Sequence, residues 1–112
     1  MMNPTTVERG WTILVPFDRR EGLSLKEAAD VAGKSGSTIR AWCQREGIGR
    51  RVGGGTWVVS RLALRMFLDG DDAALRSYLE GVRLEEPVAS YYRRLGLEAV
   101  LDEMKDAASR AA

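Results

Sequence analysis

Residues 23–68 read LSLKEAADVAGKSGSTIRAWCQREGIGRRVGGGTWVVSRLALRMFL, and this stretch decides the fold. Ser24 followed by Glu27 forms a capping box, in which each side chain satisfies a backbone N–H that the first helical turn leaves unpaired. Leu25, Ala28, Ala29 and Ala32 recur at helical spacing, and Gly33 suits the left-handed residue that ends a helix. The alanines let a second helix approach closely. Ser35 reads as the next N-cap, with Gly36, Ser37 and Thr38 in the first turn. That second helix runs to about Glu46, where Gly47 stops it.

At 100° per residue, Ile39, Trp42, Cys43 and Glu46 share one face of the second helix. Ser37, Ala41 and Gln44 lie opposite, with Thr38, Arg40 and Arg45 on the flanks. A solvated helix more commonly carries Glu and Lys there. Little bulk between two cations is the shape that fits a groove lined by phosphates and base edges. Cys43, the one cysteine of the chain, falls in the apolar stripe and reads as a small buried hydrophobe.

Arg50-Arg51-Val52, Gly53-Gly54-Gly55 and Thr56-Trp57-Val58-Val59 read as strand, flexible tip and strand. The glycine tip, with Arg50 and Arg51 at its base, permits close approach to a phosphate backbone. Ser60 caps a third helix whose Leu64, Phe67 and Leu68 complete a core. Helix, turn, helix, hairpin and helix in this order make a winged helix-turn-helix, a scaffold that holds one helix in a DNA major groove.

Outward from this module, residues 1–10 are polar and expected to be poorly ordered. Trp11 to Val15 is rich in strand formers and is stopped by Pro16, so it predicts one strand lying beside the hairpin, or an apolar arm. Asp18 to Gly22 reads as a charged turn. Beyond the module, Leu75, Tyr78, Leu79 and Val82 mark a fourth helix. Glu85-Glu86-Pro87 starts another, with Val88, Tyr91, Tyr92 and Leu95 as its stripe and Gly96 at its end. Leu97, Val100, Leu101 and Met104 belong to a last amphipathic helix. The expected architecture is therefore mostly α (α+β): an N-terminal arm with one strand over 1–22, a winged helix-turn-helix over 23–69, and a helical extension over 70–112.

Composition narrows the function. With 112 residues, 45% hydrophobic and 29% charged, the chain suits a small soluble domain, and no apolar run reaches the roughly 20 residues of a membrane span. No export signal is apparent, so a cytoplasmic location is expected. Having no histidine and one cysteine, the chain offers neither a Cys/His zinc site nor a histidine base to activate a nucleophile. Asp69, Asp71 and Asp72 read as helix-start residues rather than a Mg²⁺ site. No enzyme, metal or cofactor is expected. Charge is unevenly spread: residues 24–65 hold eight basic and three acidic side chains, a net of +5, while residues 66–112 carry six basic and ten acidic, a net of −4.

Leu25-Lys26-Glu27-Ala28-Ala29, Gly33-Lys34-Ser35, Ser37-Thr38-Ile39, Trp42 and Arg51-Val52-Gly53-Gly54 together resemble the excisionase-like branch of the MerR-type winged helix-turn-helix superfamily. The resemblance covers about 45 of the 112 residues. It implies a recognition helix over Ser35–Glu46 and a wing over Arg50–Val59. Members of that superfamily act as excisionases in DNA recombination, as transcription regulators, or as DNA-recognition modules of phage terminase small subunits. The sequence departs from the family pattern at Lys34, usually apolar; at Gly36, often an arginine; and at Val58, often basic.

A non-enzymatic binder of double-stranded DNA is thus expected. Ser37, Thr38, Arg40, Gln44 and Arg45 would face the major groove, Arg50, Arg51 and Thr56 the adjacent backbone, and Ser35 is a further DNA-binding residue. Lys26, Lys34 and Arg61 would add phosphate contacts. With Gly36 and Val58 in place of basic residues, Arg40, Arg45 and the Arg50-Arg51 pair must carry most of the binding. Two copies, or a cooperative array joined through the C-terminal helices, would lengthen the recognised site. The alternative is a protein-interaction or assembly factor, similar to a terminase small subunit, that uses those helices and Tyr91-Tyr92.

Overall fold

Serine N-caps and left-handed glycines frame the first three helices, in accord with the local sequence. The structure is a computed structural model that describes residues 12–111. Ser24 Oγ accepts the Glu27 N–H at 3.0 Å and Glu27 Oε1 accepts the Ser24 N–H at 2.8 Å, starting α1 (Leu25–Ala32). Ser35 Oγ accepts the Thr38 N–H at 3.2 Å at the head of α2 (Gly36–Glu46). Ser60 Oγ does the same for the Ala63 N–H at 3.1 Å, starting α3 (Arg61–Asp69). Gly33 and Gly47, at φ 68° and 74°, close α1 and α2 in a conformation that a side chain would strain.

Three short strands form one antiparallel sheet: β1 (Gly22–Ser24), β2 (Gly49–Arg51) and β3 (Trp57–Ser60), in the order β1-β3-β2. Leu23 and Gly49 both face Val59 across the ladder, and Arg50 faces Val58. The hairpin is therefore present, but the strand beside it is not the expected one. Residues 12–15 form no strand; the Ile13 N–H donates to the Leu79 carbonyl at 2.7 Å, and Val15 is buried. The free edge of β3 is taken by Gly22–Ser24, which reaches it by running straight into α1. The expectations for residues 1–10 and for Trp11 fall outside the described residues.

Asp71 caps α4 (Asp72–Leu79), which stops before Val82 because the chain turns through Gly81 at φ 102°. Pro87 precedes α5 (Val88–Arg94), and α6 (Glu98–Ala111) follows Gly96. One apolar cluster runs from Ala28 of α1 through Ile39, Cys43, Ile48, Val59, Leu62 and Met66 to Tyr78, Tyr92 and Leu101. The module and the C-terminal helices thus share a single core. The architecture is mostly α with a small antiparallel sheet, α+β as expected. No described helix is long and apolar enough to cross a membrane.

Candidate nucleic-acid interface

The periodicity of α2 decides which of its side chains meet solvent. Ile39 and Cys43 are buried and Trp42 packs against Phe67 of α3, their ring centroids 4.9 Å apart. Burial pushes the Cys43 thiol up to about 11, which leaves it an inert core group. Ser37, Arg40, Ala41, Gln44 and Arg45 are exposed on the far side, and Thr38 is half-buried. The hydroxyls at the head of the helix form a small cluster: Ser35 Oγ lies 3.1 Å from Ser37 Oγ and 3.0 Å from Thr38 Oγ1.

The cations of this surface differ in how far they are already engaged. Arg45 Nε donates to Glu46 Oε2 at 3.0 Å, and Lys26 pairs with Asp30 at 3.5 Å along α1. Lys34 is exposed in the turn before Ser35. Arg40 is exposed and has no hydrogen bond or ion pair among the described residues. It is the least committed arginine of the helix.

The pleat of β2 separates the two arginines at the base of the hairpin. Arg50 and Arg51 are adjacent in β2, so their side chains leave opposite faces of the sheet and do not act as a pair. Arg50 shares its face with Val58, Gly22 and Ser60. That face is covered: a Cβ built on Gly22 would meet Val58 Cγ1 and Pro16 Cγ, and the Ser60 hydroxyl meets that of Tyr78. Arg50 is accordingly half-buried, and its Nε is enclosed without a partner among the described residues. Arg51 folds over the tip instead, donating through Nε to the Gly55 carbonyl at 3.3 Å and through a terminal nitrogen to the Gly54 carbonyl. Residues 52–56, Thr56 included, are all exposed.

Arg61 is also already engaged. Its guanidinium donates to the Leu95 carbonyl at 3.0 Å, tying the first turn of α3 to the end of α5. It lines a shallow cleft of about 410 Å³ with Leu23, Glu27, Val31, Leu64 and Arg65. The third helix thus gives this arginine a partner in the C-terminal extension.

What holds α2 and the hairpin in place was only partly visible in the sequence. Gly49 permits the hairpin to lie against α2, because a Cβ there would sit 2.6 Å from the Val58 carbonyl and 2.8 Å from Cys43 Sγ. Behind β3 lies a buried polar network. The Glu21 carboxylate accepts the Tyr78 hydroxyl at 2.6 Å and the Tyr92 hydroxyl at 2.7 Å. Since the Tyr78 proton points to Glu21, Ser60 Oγ donates to the Tyr78 oxygen at 2.8 Å. Burial and the adjacent carboxylate push both phenols far above their ordinary range. Arg83 lies over the Tyr78 ring at 4.1 Å and donates to the Tyr78 carbonyl at 2.7 Å.

The acidic residues around the end of α3 are already engaged. Asp71 caps α4 through the Ala74 N–H, and the Tyr91 hydroxyl donates to both Asp69 and Asp71, at 2.9 and 3.0 Å. Asp69 also pairs with Arg65 at 3.1 Å. Among the described residues no three His, Cys, Asp or Glu side chains gather into a metal site. No family model, curated protein or solved structure matches the chain.

Proposed function

We propose that this protein is a cytoplasmic binder of double-stranded DNA, of the excisionase or transcription-regulator type, that catalyses no reaction. It would use a winged helix-turn-helix with α2 in the major groove and the β2–β3 tip on the backbone. The observation that carries this reading is the outer face of α2. Its small and hydrogen-bonding side chains are exposed together, and Arg40 stands beside them with no acidic partner among the described residues. In this reading Arg40, Gln44, Ser37 and Thr38 meet base edges. Ser35, Lys34, Lys26, Arg45 and Arg51 meet phosphates, Arg45 and Arg51 exchanging their present partners for the DNA, and Thr56 approaches with the tip.

Fluorescence anisotropy of a labelled random duplex, titrated with the full chain over a range of salt, tests the proposal. Affinity should fall with salt at a log–log slope of about −0.9 per neutralised phosphate. Replacing Arg40, Arg45 and Arg51 together by alanine should flatten that slope. Equal affinity of wild type and triple variant at every salt concentration would overturn the proposal.

One observation favours a second copy as a further partner. From Lys105 onward every described residue of α6 is exposed, so the last two turns of this helix stand clear of the core. A homodimer or array joined there would double the recognised length of DNA. Sedimentation showing a monomer both alone and on a long duplex would exclude it.

A further inference from the structure

Base discrimination can be assigned more narrowly within the proposed DNA-binding face, and this inference rests on that reading. Five of the eight basic residues between positions 24 and 65 already hold a protein partner: Lys26, Arg45, Arg51, Arg61 and Arg65. Arg50 is half-buried with an enclosed Nε, and Lys34 precedes the helix it would have to project from. Arg40 alone is both on α2 and without a partner among the described residues.

Gln44 follows Arg40 by four positions, so the two side chains lie on one ridge of the helix. Gln44 is likewise exposed, with no hydrogen bond from its amide among the described residues. Ser37 and Ala41 beside them are small, so the helix backbone can approach the groove floor. The chemistry of the two long side chains is specific. A guanidinium fork matches the O6 and N7 acceptors of guanine, and a carboxamide matches the N6 donor and N7 acceptor of adenine. Four residues span about 6 Å of helix axis, close to two base-pair steps of about 3.4 Å.

We propose that Arg40 and Gln44 are the specificity-determining residues, reading a guanine and an adenine about two base pairs apart in the major groove, while the other cations only position the chain on phosphates.

The test is selection of duplexes from a pool with a randomised centre by the full chain, followed by sequencing of the retained fraction. Wild type should enrich a guanine and an adenine at that spacing, each favoured on the order of 5- to 150-fold over other bases. Arg40→Ala should lose the guanine preference alone, and Gln44→Ala the adenine preference alone. Both side chains are exposed, so unchanged circular dichroism and thermal midpoint are expected of each variant. Retained DNA without these preferences, or preferences that survive both substitutions, overturns the inference and leaves DNA binding standing. Failure of the chain to retain any duplex at low salt removes the proposed function, and the inference with it.

Discussion

The carboxylate of Glu21 and the hydroxyl of Tyr92 meet at 2.7 Å although 71 positions separate them in the chain. With Tyr78 on the other carboxylate oxygen, this contact fastens the segment before β1 to both α4 and α5. Glu21 is fully buried, so these hydroxyls, with a longer bond of 3.4 Å from the Phe17 N–H, replace the water it gave up. Glu21→Ala should therefore cost about 2–6 kcal/mol in urea unfolding, because it takes the acceptor from two buried hydroxyls at about 1–3 kcal/mol each. Tyr92→Phe should cost less alone, and add little once Glu21 is gone. Additive losses in that double-mutant cycle would show that the contact is not cooperative.

Alkali should weaken the fold through the same groups. Tyr78 and Tyr92 have folded-state pKa values raised above the ordinary phenol value near 10, and Tyr91 is pushed up to about 12. A raised folded pKa means that the folded state holds the proton longer than the unfolded chain does. That stability is fully present below about pH 10 and is lost as pH rises through the folded values. Cys43, at about 11 against an ordinary 9.0, starts the decline one unit earlier. Urea midpoints should hold to about pH 8–9 and fall progressively beyond it, with phenolate absorbance appearing together with unfolding. A midpoint that is flat to about pH 11 would contradict the buried network.

Gly49 and Gly53 should respond differently to the same substitution. A methyl at Gly49 would overlap backbone of β3 and the sulfur of Cys43, so Gly49→Ala is expected to cost about 1–3 kcal/mol or more. Gly53 lies at φ 58° with nothing within 4 Å of its would-be Cβ, so Gly53→Ala bears only backbone strain of about 1 kcal/mol. Denaturant midpoints measured side by side decide whether the hairpin base is as tightly packed as described.

Binding and stability should separate cleanly across three further variants. Arg40→Ala should weaken DNA binding with no change in the unfolding midpoint, since its side chain is exposed and makes no hydrogen bond or ion pair among the described residues. Arg61→Ala should do the reverse, losing the bond to the Leu95 carbonyl at about 0.5–1.5 kcal/mol with little effect on DNA affinity. Cys43→Ala opens space in the core, and about 1 kcal/mol is expected, again without a direct effect on DNA. An Arg61→Ala variant that loses DNA affinity as steeply as Arg40→Ala would return Arg61 to the interface.

The sequence by itself determined what local bonds decide. Ser24, Ser35 and Ser60 cap the N–H three residues ahead of them, and Gly33, Gly47 and Gly70 end the same helices, so helix positions follow from neighbours within one turn. The apolar period of α2 likewise settles which side faces out, because Ile39 and Cys43 can be buried only if Arg40 and Gln44 are not. Tertiary structure alone decided where the long-range partners fall. The edge of β3 could accept any extended segment, and three-residue Gly22–Ser24 carries no alternation that marks it as the strand over the richer residues 12–15. Glu21 reads as a solvated charge until Tyr78 and Tyr92, 57 and 71 positions on, fold over it. Arg50 and Arg51 look like one basic pair, yet the pleat of β2 sends one towards the covered face and the other over the tip. Whether a charge is buried, paired or free depends on which distant surface arrives beside it, and no spacing along the chain encodes that arrival.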